Sequence, residues 1–288
     1  MFPSPQRTMV RTALTLFGVL AMATVAAAQP SDSRLKRIEG TKTVKIAHRL
    51  DAQPFSFVSE RREPAGYTID LCKLVVKSIA QQLGASLEIV WVPVTTQDRF
   101  DAVAGGLADM ECGSTTVSLG RMNIVDFSSF IFVENTALAV TAASGIRALE
   151  ALAGKKIAVI AGTTNERALA RELQRRRLTA TVIQVANRDE GMAALGGGAV
   201  DAFASDRFLL GSRIDKSFAM LPEDISVEPY AIVLPRGDWA FRLAVNTALA
   251  QVFRSGDVLD VYTNWFSNVA SRPNALIGAV YVLGALPQ

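Results

Sequence analysis

Short apolar runs alternate with helix-like stretches along most of this chain, and the alternation occurs twice. The runs with strand character are residues 43–48, 87–92, 156–160 and 181–185. The stretches with apolar side chains at helical spacing are residues 67–83, 99–103, 166–173 and 190–195. Such alternation is typical of α/β proteins, in which helices cover the faces of a sheet. The sequence therefore predicts an α/β fold built from two similar halves.

The two halves also share a short motif. Gly-Gly-Leu-Ala-Asp at 105–109 and Gly-Gly-Ala-Val-Asp at 197–201 each precede a strand-like run, and a polar residue follows five positions later, Ser114 and Asp206 respectively. Gly-Gly-x-x-Asp is also ordinary punctuation between a helix and a strand. Open α/β sheets bind ligands at the carboxyl ends of their strands. We therefore expect two lobes that face each other across a cleft.

Two extended stretches, near 134–139 and 229–234, are predicted to connect the lobes. The first lobe then comprises residues 41–133 and 235–288, and the second lobe comprises residues 140–228. Two crossings make the first lobe discontinuous in sequence, and they suit hinge bending around a ligand.

Residues 1–28 have the features of a signal peptide. Arg7 and Arg11 form a positive region, a short apolar run follows, and small residues end at Ala28. An uncleaved membrane anchor is the alternative, but the apolar run is shorter than the roughly 20 residues that cross a bilayer. We expect cleavage after about Ala28 and export to the periplasm. A second apolar run at 275–286 is also too short to span and predicts a packed C-terminal helix.

Charge and cysteine content exclude several classes of protein. The net charge is +3, and removing the leader arginines leaves 28 basic against 27 acidic residues, which argues against a nucleic-acid-binding protein. Two cysteines and one histidine are too few for a zinc site. In an oxidising compartment Cys72 and Cys112 are expected to form a disulfide, the alternative being two small buried thiols.

The segment with the clearest binding chemistry is Glu-Cys-Gly-Ser-Thr-Thr at 111–116, followed by Arg121. Glycine permits close approach of the backbone, and hydroxyl groups suit an anionic or zwitterionic ligand. A guanidinium group pairs bidentately with a carboxylate. Taken alone, such a loop is more often a simple turn, and a single arginine is more often solvated.

Seven short motifs occur in order between His48 and Trp265. They are His-Arg at 48–49, Pro-Phe-Ser-Phe at 54–57, Gly-Tyr-Thr-Ile-Asp at 66–70, Val-Pro-Val-Thr-Thr-Gln-Asp-Arg at 92–99, the 111–116 segment with Arg121, Gly-Thr-Thr at 162–164 and Ala-Phe-Ala-Ser-Asp at 202–206. In this set the chain resembles the glutamate/aspartate-binding proteins of bacterial polar amino acid ABC transporters, within solute-binding protein family 3. The resemblance implies a two-lobed periplasmic binding protein fold with a ligand cleft between the lobes and two hinge crossings.

The resemblance also implies roles for individual residues. Arg121 and Thr116 would hold the α-carboxylate of an amino acid, and Ser114 and Asp206 would hold its α-ammonium group. A zwitterion needs a cation at one end and an anion at the other, which agrees with this assignment.

The side chain of the ligand would lie among Arg49, Arg99 and Thr96. Arg188 stands where the relatives carry a histidine, and the acidic residues at 189–190 beside it are expected to repel an acidic ligand. Glutamate, aspartate and an amide such as glutamine therefore all remain candidates. The residues expected in the cleft wall are Phe57, Thr163 and Thr164.

These observations predict a monomeric binding protein that captures an amino acid by hinge closure and delivers it to an ABC permease in the inner membrane. No cofactor, metal or catalytic residue is expected. A cleft enzyme resembling dehydratases or lyases is one alternative, for which Glu111 is the obvious acid/base candidate. A ligand sensor is the other.

Overall fold

The computed structural model describes residues 33–269 and 272–287, so the predicted signal peptide at 1–28 lies outside the described residues. The helices are α1 (Arg34–Thr41), α2 (Tyr67–Gln82), α3 (Arg99–Ala104), α4 (Thr164–Arg176), α5 (Arg188–Gly196), α6 (Arg207–Gly211), α7 (Trp239–Ser255), α8 (Asp257–Phe266) and α9 (Ala275–Gly284), with 3-10 turns at Arg121–Asn123, Ala142–Ser144 and Leu149–Leu152. The strands are β1 (Thr43–Arg49), β2 (Asp51–Ala52), β3 (Ser56–Val58), β4 (Pro64–Ala65), β5 (Glu88–Val94), β6 (Met110–Glu111), β7 (Val125–Thr141), β8 (Lys156–Ile160), β9 (Thr181–Val185), β10 (Ala202–Asp206), β11 (Phe218–Met220) and β12 (Ser226–Pro235).

One continuous sheet runs through the protein in the order β5-β1-β6-β12-β7-β10-β8-β9, with β11 paired to β7. Strand β1 is parallel to β5 and β6, and β8 is parallel to β9 and β10. The long strands β7 and β12 are antiparallel to each other and join the two parallel sets. The stretches 134–139 and 229–234 lie within these two strands. A small separate sheet contains β2, β3 and β4.

The predicted helices are present, but two begin earlier than expected. Helix α4 starts before residue 166 because the Thr163 side chain accepts a hydrogen bond from the Glu166 backbone N–H at 3.2 Å. Helix α5 starts before residue 190 because the Asn187 side chain accepts from the Glu190 N–H at 2.9 Å. Side-chain caps of this kind satisfy the free N–H groups of the first turn. The capping residues, not the apolar periodicity, determine where these helices begin.

Each half of the sheet has its own core, and we call the two halves the first and second lobes. In the first lobe, helices α2, α7, α8 and α9 pack against one cluster. Within it, the Phe55 ring lies 4.9 to 6.0 Å from the rings of Phe132, Tyr230, Phe266 and Tyr67. The second-lobe cores are mostly aliphatic and are built on β8, β10 and α4.

A disulfide joins Cys72 in α2 to Cys112 just after β6. The predicted disulfide is therefore confirmed, and the alternative of two free buried thiols is wrong. The bond links a first-lobe helix to the 111–116 segment, of which Cys112 is the second residue. As for membrane insertion, none of the helices within 33–269 and 272–287 combines the length and the apolar character needed to cross a bilayer.

Candidate functional site

Charged side chains end three strands of the sheet, two in the first lobe and one in the second. Strand β1 ends at Arg49, β6 ends at Glu111 and β10 ends at Asp206, and all three side chains are buried. Strand ends of open α/β sheets are where ligands bind. Burying charges away from water is costly unless they are paired. The candidate site therefore lies between the lobes, where strand ends of the first lobe meet those of the second.

Four buried arginines meet here: Arg49, Arg99 and Arg121 from the first lobe and Arg188 from the second. Burial lowers the pKa of Arg49, Arg99 and Arg121 to about 10 in each case, because a charged group loses its hydration. The guanidinium of Arg188 lowers the pKa of Arg49 further, and that of Arg121 does the same to Arg99. The arginines stay charged at neutral pH but repel one another, so an anion bound among them would be stabilised.

Three carboxylates lie among the arginines. Asp51 is hydrogen-bonded to Arg49, and its second oxygen lies 3.4 Å from Nη1 of Arg188. The other end of the Arg188 guanidinium lies 3.5 Å from the Asp206 carboxylate. Burial raises the pKa of Asp206 and of Glu111. Arg188 acts in the opposite direction on Asp206, and Arg99 does so on Glu111. The site is thus a mixed cluster of charges contributed by both lobes.

The 111–116 segment forms a tight loop beside these charges. The Thr115 hydroxyl donates to the Glu111 carboxylate at 2.8 Å, and Nη1 of Arg121 donates to the Thr116 carbonyl oxygen at 2.6 Å. A Cβ atom at Gly113 would lie 1.8 Å from Oε1 of Glu111, so the loop closes over the carboxylate only with glycine there.

The Phe100 ring, which the sequence interpretation missed, supports two of the arginines. The guanidinium carbons of Arg99 and Arg121 lie 4.8 and 5.1 Å from its centroid. A cation over an aromatic face is attracted by the ring quadrupole. An aromatic residue next to a predicted site arginine was the available signal in the sequence.

Several polar atoms of the site are buried without a hydrogen-bond partner in the described part of the chain. They are the hydroxyls of Thr96 and Ser114 and guanidinium nitrogens of Arg49, Arg99 and Arg188. Buried polar groups in proteins are nearly always hydrogen-bonded. A polar ligand bound among these residues would supply the partners.

The second lobe presents Asp206 through a network that the sequence did not indicate. The Asn165 side-chain amide donates to Asp206 at 3.0 Å and to the Thr136 hydroxyl at 2.8 Å. Thr164 bridges the lobes, since its hydroxyl lies 3.2 Å from that of Thr116. The Thr163 hydroxyl donates to a backbone carbonyl and caps α4, so its role in the structure is local.

Asp51, and neither of the residues at 189–190, joins Asp206 and Glu111 among the arginines. The Asp189 side chain is 75% exposed and pairs with Arg213, and the Glu190 carboxylate accepts a backbone N–H within its own turn. Asp51 follows Arg49 by two positions and pairs across β2 and β3 with Phe57, whose ring contacts Trp265 edge-on. An acid close in sequence to a site arginine was the only sequence signal for Asp51.

The lobes touch across the site. Besides the pair of Asp51 and Arg188, the Arg213 guanidinium of the second lobe donates to the Asp51 backbone carbonyl at 2.9 Å. Among residues 33–269 and 272–287, no group of histidine, cysteine and acidic side chains is arranged to hold a metal ion. The positive and negative side chains that both lobes contribute suit a small ligand that carries both charge signs.

Comparison with known proteins agrees with this chemistry. The sequence profile of the bacterial extracellular solute-binding proteins, family 3, matches residues 44–268. An L-glutamate/L-aspartate-binding protein of Pseudomonas aeruginosa is 34% identical over 242 residues, which is 81% of this chain and 80% of the relative. A glutamate/aspartate import solute-binding protein of Escherichia coli is 28% identical over 262 residues, covering 89% of this chain and 86% of the relative.

A solved structure extends the comparison to the fold. The ancestral amino acid-binding protein AncCDT-1, described as a precursor of cyclohexadienyl dehydratase, matches with a TM-score of 0.71 and 26% identity, covering 82% of this chain and 100% of that one. The two-lobed α/β fold predicted from the sequence is confirmed.

Proposed function

The chain belongs to the bacterial extracellular solute-binding proteins, family 3, and we propose that it binds an amino acid, glutamate or aspartate above all, between its two lobes and delivers it to an ABC permease. The observation that carries this proposal is the buried cluster of arginines and carboxylates from both lobes, several of whose polar atoms lack a partner in the described residues. The relatives of Pseudomonas aeruginosa and Escherichia coli are named as glutamate/aspartate-binding proteins, which supports the ligand class.

The backbone end of the ligand is assigned to groups from both lobes. Arg121 and Thr116 receive the α-carboxylate, and Asp206 with Ser114 receives the α-ammonium group. The contact between Arg121 and Thr116 and the buried, unpartnered Ser114 hydroxyl support this assignment. A buried carboxylate such as Asp206 is stabilised by a bound cation, which the ligand ammonium provides.

The side-chain end of the ligand is assigned to Arg49, Arg99, Thr96 and Arg188. Partnerless guanidinium nitrogens on three of these residues and the partnerless Thr96 hydroxyl support the assignment. Donors of this kind suit carboxylate and carbonyl oxygens. The residues assigned to the cleft wall are Phe57, Thr163 and Thr164.

Closure is proposed to occur by bending at 134–139 and 229–234, between a first lobe of 41–133 with 235–288 and a second lobe of 140–228. A ligand that contacts both lobes favours the closed state because it gains contacts there that the open state lacks. The position of both stretches in strands β7 and β12, which connect the two parallel halves of the sheet, supports this mode of motion.

We propose that the protein is exported by the signal peptide at 1–28, cleaved after about Ala28, and acts in the periplasm as a monomer. The Escherichia coli relative is named as an import solute-binding protein, which supports delivery to a permease in the inner membrane.

Binding without catalysis is the proposed activity. Two observations favour the second candidate, a cleft enzyme. Glu111 is fully buried and its pKa is raised by burial, as is common for a general acid, and AncCDT-1 is described as a precursor of a dehydratase. However, one oxygen of Glu111 accepts from Thr115 and the other lies over Gly113, which supports a structural role under the loop.

Isothermal titration of the mature protein against glutamate, aspartate, glutamine and leucine tests the proposal. Binding of one or more polar amino acids, with leucine rejected, is the expected result. If none of the four produces heat and a dehydration assay on a cyclohexadienyl substrate is positive, the enzyme replaces the binding protein.

A further inference from the structure

The Asp51 carboxylate lies between two of the arginines assigned to the ligand side chain. One oxygen is hydrogen-bonded to Nη2 of Arg49, and the other lies 3.4 Å from Nη1 of Arg188. These arginines belong to different lobes, so a single carboxylate of the protein bridges them. A bridging carboxylate is also what the side chain of an acidic amino acid would be.

This carboxylate is an integral part of the site and not a surface charge. The Asp51 side chain is 17% exposed, against 2% for Arg49 and 5% for Arg188. Burial acts to raise the pKa of Asp51, but Arg188, Arg49 and Arg213 outweigh it and lower the pKa. Asp51 is therefore ionised at neutral pH and permanently cancels part of the positive charge.

The position of Asp51 is held from both lobes. Its strand pairs with β3 through Phe57, and its backbone carbonyl accepts a hydrogen bond from Arg213 at 2.9 Å. Because backbone and carboxylate are both engaged, the side chain cannot leave the arginines without breaking contacts in both lobes.

Asp51 also changes which side chain the site can recognise. The amide NH₂ group of glutamine or asparagine needs hydrogen-bond acceptors, and arginine has none. Asp51 offers carboxylate oxygens, and the partnerless Thr96 hydroxyl offers another acceptor. The remaining partnerless nitrogens of Arg49 and Arg99 can donate to the carbonyl oxygen of an amide as well as to a carboxylate.

We propose that Asp51 is a specificity-determining residue, an internal anion that occupies donors of Arg49 and Arg188 and so lets the site accept an amide side chain alongside an acidic one. This inference rests on the proposed function, since it requires an amino acid ligand. Asp51 neutralises part of the positive charge of the three arginines assigned to the ligand side chain. A ligand with a second carboxylate is therefore not required to balance that charge.

The test is isothermal titration of wild type and the Asp51→Asn variant with glutamate and glutamine. Wild type is expected to bind both, with dissociation constants within roughly tenfold of each other, because the internal carboxylate offsets the arginines. In Asp51→Asn the preference for glutamate over glutamine is expected to rise by roughly tenfold or more, since a nearby negative charge no longer repels the ligand carboxylate.

Asp101→Asn is the matched control, because it removes a carboxylate that also lies two positions after a site arginine, Arg99, but from an exposed position. Its ratio of the two dissociation constants should stay within about threefold of wild type. Asp51→Ser, which also removes the charge, serves in place of Asp51→Asn if circular dichroism shows that variant unfolded.

Two results would overturn the inference. One is a wild type that binds glutamate but rejects glutamine more than a hundredfold, and the other is an Asp51 variant whose ratio is unchanged or shifts toward glutamine. Failure of the proposed function looks different, because then wild type binds neither amino acid.

Discussion

The two lobes begin equivalent strands with the same aspartate contact. In the first lobe the Asp109 carboxylate accepts from the Lys45 backbone N–H at 2.7 Å, and in the second the Asp201 carboxylate accepts from that of Lys156 at 2.9 Å. Each aspartate also donates its own N–H to the carbonyl of the same lysine. The Gly-Gly-x-x-Asp motif therefore produces the same local structure twice.

The surroundings of the two aspartates differ. Asp109 is 1% exposed and pairs with Arg34 and Arg37, whereas Asp201 is 36% exposed beside the flexible side chain of Lys155. The first lobe also contains the aromatic cluster around Phe55 and the disulfide, while the second-lobe cores are mostly aliphatic. The same hydrogen bonds are thus expected to contribute more to the free energy of unfolding at Asp109 than at Asp201.

Removal of the disulfide should produce the largest difference between the lobes. The double variant Cys72→Ser/Cys112→Ser is expected to lower the free energy of unfolding by about 2–4 kcal/mol, because a cross-link 40 residues apart in sequence restricts the unfolded chain. Urea unfolding of the variant and of wild type, with and without reductant, measures this. If reductant leaves wild type at its original midpoint, the bond does not stabilise the first lobe.

At the ligand site the two lobes are expected to contribute equally to affinity, unlike their contributions to stability. Arg121→Ala in the first lobe and Asp206→Ala in the second should each weaken amino acid binding by roughly 30-fold, about 2 kcal/mol, since each removes a buried charged partner. Titration calorimetry compares them with Arg171→Ala, an exposed arginine of α4, as control.

An affinity within about threefold of wild type for Asp206→Ala would contradict shared binding. The first lobe would then hold the ligand alone, and the ammonium assignment would be wrong.

The two aspartates themselves provide the sharpest comparison. Asp109→Asn should lower the free energy of unfolding by about 2 kcal/mol, because it leaves the paired arginines without their carboxylate. Asp201→Asn should cost about 0.5 kcal/mol or less, because an exposed pair is largely screened. Urea denaturation of the two single variants checks this. Equal losses of unfolding free energy would show that burial does not control how much the aspartate of this motif stabilises the fold.

The strand shared by both lobes allows a finer pH test. Burial, and then the nearby Asp206 carboxylate, raises the pKa of Glu134 in β7 well above its ordinary value. Between the ordinary glutamate pKa of about 4.5 and its own raised pKa, Glu134 keeps a proton in the folded protein that the unfolded chain has lost, so stability falls as pH rises through that interval.

In Glu134→Gln that contribution disappears. Above about pH 4.5, stability should fall less steeply with rising pH than in wild type, by up to about 1.4 kcal/mol per pH unit. The measurement is the slope of unfolding free energy against pH, with Asp126→Asn, a more exposed acid of the same strand, as control. Parallel slopes for wild type and Glu134→Gln would mean that Glu134 is ionised in the folded protein.

Much of the site was predictable because the chain carries family motifs whose residues have implied roles. Arg49, Arg99, Arg121 and Asp206 were identified through that resemblance, and the structure brings them together where the two lobes meet. Asn165 and Phe100 were missed, because an amide in a helix and a phenylalanine after an arginine have many ordinary roles.

The sequence by itself determined the repeated alternation of strands and helices and the disulfide, since these follow from periodicity and compartment, and its family motifs indicated the chemical class of the candidate site. Only the tertiary structure decided that Asp51, and neither acid at 189–190, lies between Arg49 and Arg188. Successive residues of a helix point about 100° apart, so Arg188 at the start of α5 enters the site while the residues at 189–190 point elsewhere. Asp51 takes the place beside Arg188 because packing of the lobes, which no local pattern encodes, brings β2 against α5.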